Sequence, residues 1–374
     1  MKEELTYWIT LTFLQGITVR RKNEIYVACY KHEPRITISQ LFDDSNLWPE
    51  LGLSDEECAI FADARTQLAN NSFMAEDLLS QGYDILPMDS PLYPKELKAN
   101  LKMLTPTVLF TKGNKALLQQ PAVAIVGSRN ADGLSLEFTD NIARRCAAQS
   151  QVVVSGFAKG VDTRALTSTL EANGSSIIVL PQGITTFASG LKQFYKALTQ
   201  GRLLVVSAFY PTAPWSVEMA MRRNPYIYGM AHSIYVAQSD DHGGTWSGAI
   251  DGLRKQRPIF VRMPHEDEHN ANLQLIQRGA KAVDMEGNEL QLSEDQLLTS
   301  EEREERERQT TLRQILTSDS GMSSAQIQQC FAVDWSDAKM KKYLRSLDFV
   351  EEYRQANKVY FRLKSAPGQL ALDL

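Results

Sequence analysis

The chain has 374 residues, of which 43% are hydrophobic, and its formal net charge is −5 at pH 7. At roughly 100–200 residues per domain, this length predicts two or three domains. The negative net charge excludes an overall positive field, so binding to nucleic acid would need a local basic patch. Four widely spaced cysteines without a CxxC pair argue against a zinc cluster and a disulfide framework. No segment approaches the roughly 18 apolar residues of a membrane span. We therefore expect a cytoplasmic protein without membrane association.

Residues 1–90 predict a small helical N-terminal module. The segment 7–14 is apolar, and a second helix is expected to begin near Ile36, after Pro34. Ser54-Asp55-Glu56-Glu57 has the Ser-x-x-Glu form of a capping box at a helix start. None of these segments carries residues that point to chemistry, so we interpret the module as structural.

The most informative stretch of the sequence opens a predicted sheet. Residues 122–133 read AVAIVGSRNADG, a buried strand followed at once by Gly127-Ser128-Arg129, and the apolar spacing over 134–148 predicts a helix packed on that sheet. A strand, a glycine-containing turn and a helix N-terminus together favour an anion, and Arg129 adds a positive charge. A tight turn without any ligand explains Gly127 equally well.

Strands and helices then alternate through a predicted core domain at residues 91–284. Further strands are predicted at 152–154, 177–180, 203–206, 233–237 and 258–261. This alternation predicts an α/β fold with a Rossmann-like, doubly wound parallel sheet. Several strands end in glycines and small polar residues, and the carboxyl ends of parallel strands meet at one edge. We therefore expect these loops to converge on one crevice.

The last part of the chain predicts a separate module. Residues 285–309 are interpreted as a charged linker, because EEREERER at 301–308 has mixed charges but no apolar stripe. Residues 310–365 show three short amphipathic helices and a hairpin, the order of a winged-helix domain, and 366–374 are a tail. The third helix carries four cations that can face DNA: Lys339, Lys341, Lys342 and Arg345. Acidic residues surround them, so protein binding stays open as the alternative.

Five segments, taken in order, carry a family resemblance. They read TPTVLFTKGN, AVAIVGSR, VVVSGFAKGVD, SSIIVLPQGI and RRNPYIYGMA. Together they resemble the DprA (Smf) DNA-processing family over nearly the whole chain. The resemblance implies a helical N-terminal module, a Rossmann-like core that binds single-stranded DNA and a C-terminal winged helix. It also implies a non-catalytic protein that delivers DNA to a RecA-like recombinase, and we expect a homodimer without cofactor or metal.

The resemblance and the strand-end positions together select the candidate residues for binding DNA phosphates. They are Gly127, Ser128, Arg129, Ser155, Gly156, Lys159, Gly160, Arg164, Arg223, Asn224, Gly243, Gly244, Thr245 and Trp246. Arg129 and Lys159 each lie just past a strand end, so we expect both charges on one rim, where successive phosphates can reach them. Four aromatic residues are candidates for stacking on bases: Phe157, Tyr226, Tyr228 and Trp246.

The sequence departs from the family pattern at several motifs. Ala165-Leu166 stands in place of Ala-His, Ser207-Ala208 in place of Ser-Glu, and Arg223-Asn224-Pro225 in place of Arg-Asn-Arg. The loop at 242–246, HGGTW, replaces a Ser-Gly loop and looks like the phosphate loop of the wider superfamily that includes LOG-type nucleoside-monophosphate hydrolases. The alternative function is therefore a nucleotide sensor or nucleoside-phosphate hydrolase, for example in phage defence, with Glu218 and Asp251 as candidate acids.

Residues 265–269 read HEDEH and satisfy the HExxH pattern of zinc proteases. That chemistry needs a helix, so that the two histidines lie one turn apart. Pro264 before the motif, Asn270 after it and the lack of apolar periodicity predict a loop instead. We therefore predict no metal site and no catalytic residue here.

Overall fold

A computed structural model of the chain describes residues 2–317, 320–331, 333 and 335–364. The chain forms two compact units, and the division falls between Gln291 and Leu292. The predicted tail at 366–374 lies outside the described residues. Within the part that is described, no helix combines the length and apolar character needed to cross a membrane.

The described elements have the following bounds. Helices of the first unit are α1 (Lys2–Phe13), α2 (Val19–Lys31), α3 (Ile38–Asp43), α4 (Leu47–Glu50), α5 (Asp55–Ala64), α6 (Leu68–Ser80), α7 (Lys95–Leu101), α8 (Gly133–Ala148), α9 (Val161–Glu171), α10 (Ala188–Gln193), α11 (Tyr195–Thr199), α12 (Val217–Met230), α13 (Gly243–Arg254) and α14 (Asn272–Gln277). Strands of the first unit are β1 (Asp84–Pro87), β2 (Val108–Gly113), β3 (Ala122–Val126), β4 (Val152–Ser155), β5 (Ser175–Val179), β6 (Leu203–Ser207), β7 (Ser233–Val236), β8 (Ile259–Arg262) and β9 (Lys281–Val283). The second unit contains α15 (Ser300–Ile315), α16 (Ser324–Cys330), α17 (Asp337–Ser346), β10 (Val350–Gln355) and β11 (Lys358–Leu363).

The first unit is built on one sheet, which has nine strands within residues 2–291, in the order β1-β2-β6-β5-β4-β3-β7-β8-β9. From β3 the chain adds β4, β5 and β6 on one side, then returns to add β7, β8 and β9 on the other, all in parallel. This reversal between β3 and β7 is the switch point of a doubly wound sheet. The predicted α/β, Rossmann-like class is therefore confirmed. At the other edge, β2 pairs antiparallel with β6, and β1 pairs antiparallel with β2.

The central strand β3 lies at the middle of the core. All five of its residues are buried, which explains why its sequence is continuously apolar and does not alternate. On one face, Val123 and Ile125 pack with Phe138 and Ile142 of α8 and with Val161 of α9. The helix predicted over 134–148 is confirmed as α8.

The first ninety residues are helical as predicted, but they are not a compact unit of their own. They belong to the same unit as the sheet, and β1 already lies before the predicted boundary at 90/91. The Asn23 amide on α2 donates to the carbonyls of Met103 and Thr105, both at 2.9 Å, so α2 is joined to the segment that leads into β2. The capping box predicted at Ser54 begins α5 and is confirmed.

The second unit differs from the predicted linker boundaries. Residues up to Gln291 belong to the first unit, and α15 runs through the predicted linker end at 309/310 because its C-terminal turns bury Leu312. Leu312 packs with Ile327, Met340 and Phe361 in a separate core. Within the described residues, this unit has three helices followed by a two-stranded hairpin, which is the order that the sequence predicts. The winged-helix assignment stays a prediction.

An ion pair joins α8 to α9. Asp140 is buried, and Arg164 Nε donates to its Oδ1 at 2.6 Å while Arg164 Nη2 donates to Oδ2. Ser168 also donates to Asp140, and Arg144 lies 3.6 Å away. Burial raises the pKa of Asp140, but the hydrogen bonds from Arg164 and Ser168 and the nearby positive charges outweigh it, so the pKa lies below its usual value.

We expect Asp140→Asn to lower the free energy of unfolding by about 1–3 kcal/mol at neutral pH, because it removes a carboxylate that three side chains surround. The pKa of Asp140 is lower in the folded state than in the unfolded state. Its carboxylate therefore stabilises the fold at pH values above the unfolded pKa of about 4, and this stabilisation disappears as pH falls through the folded-state pKa. Urea unfolding of wild type and variant from neutral to acidic pH measures this. Glu137→Gln, an exposed carboxylate on the same helix, is the control, and an equal loss there would contradict the assignment.

Candidate functional site

A cavity of about 390 Å³ opens at the carboxyl edge of the sheet, at the switch point between β3 and β7. Four parts of the chain form its wall: the loop after β3, the start of α9, one side of α12 from Val217 to Tyr228, and the loop from Asp240 into α13. Several predicted site residues line it: Gly127, Ser128, Arg129, Arg223, Asn224, Gly243, Gly244 and Thr245. Others do not: Ser155, Gly156, Lys159, Gly160, Arg164 and Trp246.

The Gly-Ser-Arg loop after β3 is held by its backbone. Ser128 N donates to the Gln238 carbonyl at 2.9 Å, and the Ser128 carbonyl accepts from Val161 N at 3.3 Å. Gly160 has a positive φ of 85°, and a Cβ there would lie 2.4 Å from the Ser128 carbonyl oxygen, so only glycine lets the two loops approach this closely. Arg129 is exposed and forms no hydrogen bond or ion pair within the described residues. Its guanidinium is therefore available to a ligand.

Four helices begin beside this cavity, and their N-termini differ. Asp132 caps α8 by accepting from Ser135 N at 2.7 Å, and Ser216 caps α12. On α9 the carboxylate of Asp162 lies in the first turn. Asp132 already supplies a carboxylate to the start of α8, where the sequence predicts an anion site, and that site stays a prediction.

The start of α13 is different. Its N-cap residue, His242, makes no side-chain cap, and the amides of Gly243, Gly244 and Thr245 have no hydrogen-bond partner within the described residues. These amides line the cavity at the positive end of a twelve-residue helix. The arrangement favours an anion at this helix.

Arg223 is placed differently from the prediction. Its side chain is only 3% exposed, and Nη1 donates to the carbonyls of Gly156 and Val179, both at 2.6 Å. It shares the cavity floor with buried Asp162, whose carboxylate accepts from Gly156 N at 3.2 Å. Burial raises the pKa of Asp162 against the opposing charge of Arg223, and burial lowers the pKa of Arg223 against the charge of Asp162. Arg223 holds the strand ends together, and its Nε has no hydrogen-bond partner among the residues that the structure describes.

The remaining predicted polar residues lie outside the cavity. Arg164 is paired with Asp140, and Ser155 Oγ donates to the Ile125 carbonyl at 2.8 Å. Both side chains are used within the fold, because each donates a hydrogen bond to a buried acceptor. Lys159 is exposed and unpaired within the described residues, but it does not line the cavity.

The aromatic residues expected to stack on bases are largely occupied. Phe157 makes edge contacts with Phe187 and Phe194, at ring-centroid distances of 5.2 and 5.5 Å. Tyr228 is buried, and its hydroxyl donates to the Thr245 carbonyl.

Trp246 and Tyr226 have neighbours of their own. Trp246 carries the Arg278 guanidinium over its ring, 5.1 Å from the centroid. Tyr226 tilts against Phe209. Of the four residues, Phe157, Tyr226 and Trp246 do not line the cavity, and Tyr228 lines it but is buried.

Acidic groups also stand at the mouth of the cavity. Asp240 is exposed and lines the cavity. Asp241 lies 2.7 Å from His242 Nδ1, a hydrogen bond that raises the pKa of the exposed His242 imidazole. The site is therefore not a broad basic patch, and its attraction for anions comes from Arg129 and the α13 amides.

The motif at 265–269 and the two candidate acids have structural partners. Glu268 accepts from the buried Arg262 guanidinium, with Nη1 at 2.8 Å from Oε1, and it lies in a loop. Glu218 is exposed and 3.6 Å from Arg222, and Asp251 pairs with Lys255 at 2.7 Å. These contacts support the loop prediction for the motif.

In the second unit, the cations predicted to face DNA are mostly engaged with their neighbours. Lys341 pairs with Asp337 at 2.7 Å, and Arg345 donates to Glu352. Lys339 lies over the Trp335 ring, 4.7 Å from its centroid. Lys342 is exposed and has no partner within the described residues. DNA contact by α17 stays a prediction, and a nucleic acid would compete there with the protein's own acids.

Comparison with known proteins identifies the family of the chain. The profile of a family described as "DNA recombination-mediator protein A" matches residues 84–293, more than half of the chain. The chain belongs to this family. The DprA/Smf resemblance of the five sequence motifs is thereby confirmed.

Its DprA relatives are distant in sequence. The DNA processing protein DprA of Bacillus subtilis is 27% identical over 208 residues, covering 54% of this chain and 69% of that protein. DprA of Streptococcus pneumoniae is 29% identical over 181 residues, covering 48% of this chain and 64% of that protein. The X-ray structure of DprA from Streptococcus pneumoniae superposes with a TM-score of 0.60 at 23% identity, over 74% of this chain and 94% of that one. The fold is therefore shared.

One departure from the DprA pattern lies at a buried position. Leu166, at the position where the pattern has histidine, is 1% exposed on α9. The departure therefore changes the core and leaves the cavity wall unaltered.

We expect Arg223→Met to lower the free energy of unfolding by about 3–5 kcal/mol, because it removes two buried hydrogen bonds and leaves Asp162 without its opposite charge. Arg222→Met, on the same helix, is the matched control. Its side chain is 58% exposed, so we expect a change of at most about 0.5 kcal/mol. Denaturant unfolding measures both, and an unchanged stability for Arg223→Met would show that Arg223 is not structural.

Proposed function

We propose that the cavity at the switch point binds the backbone of single-stranded DNA. One observation carries the proposal: the uncapped N-terminus of α13 opens into the same cavity as the unpaired guanidinium of Arg129. Backbone amides at a helix start and an arginine are the groups that bind phosphate oxygens. Lys159, exposed on the neighbouring loop, would meet the next phosphate along the strand.

A single strand suits this site better than a duplex. The residues that carry the free amides lie in the wall of a cavity, which a flexible strand can enter by bending, whereas duplex phosphates lie on a stiff cylinder. The mouth of the cavity is not a broad positive face, since Asp240 and Asp241 flank it. Membership of a family described as recombination mediators supports a DNA role.

The finer parts of this function are also proposals. Delivery of the bound strand to a recombinase is supported by the description of the family, and the chain aligns with 64–69% of its DprA relatives. Binding without catalysis is supported by the pairing of Glu218 and Asp251 with neighbouring cations. The homodimer stays an expectation.

The second candidate function is binding of a free nucleotide. A volume of about 390 Å³ falls within the range of small-molecule sites, and the α13 amides suit a terminal phosphate. Calorimetric titration with oligo-dT and with nucleoside mono- and triphosphates separates the two functions. Tight binding of a nucleotide without binding of oligo-dT would favour the second.

We expect Arg129→Ala to weaken binding of oligo-dT by about 1–2 kcal/mol, the scale of a charge-assisted hydrogen bond. The slope of log K against log salt should fall by about 0.7 for one lost phosphate contact. Fluorescence anisotropy at several salt concentrations measures both quantities. Arg20→Ala, an exposed and unpaired arginine on α2, is the control. Equal affinities of the two variants would contradict the proposed site.

The open N-terminus of α13 allows a second test, in which the protein caps its own helix. Residue 242 has extended backbone, φ −147° and ψ 180°, which suits an N-cap residue. We expect His242→Asn to stabilise the fold by about 0.5–2 kcal/mol and to weaken oligo-dT binding, because the new side chain accepts from the amides that phosphate needs. His242→Asp should weaken binding further, since it adds a negative charge.

Thermal unfolding and anisotropy measure the two effects of these caps. His242→Ala, which removes the imidazole without adding a cap, reports the effect of the ring alone. A stabilised His242→Asn variant with wild-type affinity would show that the α13 amides do not bind DNA.

A further inference from the structure

A groove of about 370 Å³ lies between α1 and α6 and shares no lining residue with the cavity at the switch point. Glu3 and Tyr7 of α1 form part of one wall. The wall on α6 includes Leu68, Ser72 and Leu79, which are spaced by four and seven residues and therefore share one face of the helix over about three turns. The two helices thus leave an open face on which a further element can lie.

Phe73 stands beside this groove. Its side chain is 72% exposed, the largest exposed fraction among the large apolar residues that the structure describes. It lies four residues after Ala69 and three before Glu76, so the three residues share one stripe of α6, and both neighbours line the groove. A single exposed ring is ordinary on a protein surface, but a ring at the edge of an open groove enlarges the apolar area that a partner can bury there.

The charged residues of the groove wall are acids without a cation partner. Glu3 and Glu76 line the groove, are exposed, and form no ion pair within the described residues. Tyr7 donates its hydroxyl to Asp43 at 3.0 Å, which adds a third carboxylate at the wall. These carboxylates are therefore available to a cation from outside the chain.

Negative charge extends over the whole segment that contains α1 and α6. Residues 1–90 hold 15 Asp and Glu against 7 Lys and Arg, a formal net charge of −8, whereas the rest of the chain holds 30 against 33. Such a surface repels the phosphates of nucleic acid, and it repels the identical surface of a second copy. A cationic partner complements it.

We propose that the groove between α1 and α6 binds a basic amphipathic helix of a partner protein. A third helix lying along the two can place its apolar stripe between Leu68 and Leu79, the mode of recognition in which a helix fills a groove. Its lysine or arginine side chains then reach Glu3 and Glu76, and an apolar side chain at its edge covers Phe73. This site is separate from the proposed DNA site, and neither depends on the other.

Fluorescence anisotropy with two synthetic peptides of lysine and leucine tests this site on the full-length protein. The first peptide has leucine at positions i, i+3, i+4 and i+7 of each two turns, so that its helix has one apolar stripe. The second has the same composition with its leucines spread over all faces of the helix. We expect wild type to bind the first peptide about 10-fold more tightly than the second, because both carry the same charge and only the first can fill the groove.

Variants of the groove separate its apolar and charged parts. Phe73→Ser should lower affinity for the first peptide about 5- to 10-fold, and Glu3→Gln/Glu76→Gln should lower it by about the same factor and weaken its salt dependence. Glu56→Gln/Asp63→Asn removes two exposed acids of α5 outside the groove and is the matched control, for which we expect a change of less than about 2-fold. All the substituted side chains are exposed, so thermal unfolding of the variants should match wild type.

The outcomes separate this groove from general attraction to negative charge and from the DNA site. Equal affinity of wild type for the two peptides, an equal loss in the control variant, or no binding of the first peptide overturns the inference. Self-association of wild type in light scattering that Phe73→Ser abolishes would assign the groove to a second copy and overturn it as well. Affinity for oligo-dT should be the same in wild type and Phe73→Ser, and its loss in that variant would assign the surface to DNA instead.

Discussion

The reversal of strand order between β3 and β7 is the constraint on which the arrangement of this molecule depends. Parallel strands bring their carboxyl ends to one edge, and a chain that leaves β3 in one direction and returns to β7 in the other opens a crevice there. The hydrogen bond from Ser128 N to the Gln238 carbonyl joins the two diverging loops at the base of that crevice. The loops after β3 and β7 bring Arg129 and the start of α13 to the cavity, and residues of α9 and α12 complete its wall.

Side chains cap two of the helix starts beside the crevice, Asp132 at α8 and Ser216 at α12. Neither α9 nor α13 has a side-chain cap, but on α9 the amides of Val161 and Thr163 donate to the carbonyls of Ser128 and Ala158. A missing N-cap costs about 1 kcal/mol of stability. Leaving the amides of one helix open is thus a modest cost in stability that keeps an anion site available.

Two of the arginines predicted for the site are used inside the fold. Arg164 donates to a buried carboxylate and Arg223 to buried carbonyls, so both stabilise the fold and neither is free to bind a ligand. Arg129 and Lys159 remain for solvent, with Asp240 nearby. Affinity for a strand would therefore depend on a few phosphate contacts and helix amides more than on a long-range field, in keeping with a net charge of −5.

The sequence by itself determined the fold class, because runs such as 122–126 are apolar without interruption and are followed by glycine turns and amphipathic helices, all of which are local signals. It also marked the loops that reach the crevice, since the carboxyl ends of parallel strands must share an edge. Only the tertiary structure decided which side chains are free there. Asp132 caps its own helix, Arg223 is buried by strands far away in sequence, and Val217 and Met221 look like core residues until α12 is seen to face the cavity. Burial and pairing depend on contacts between distant segments, and the local pattern of a sequence does not contain them.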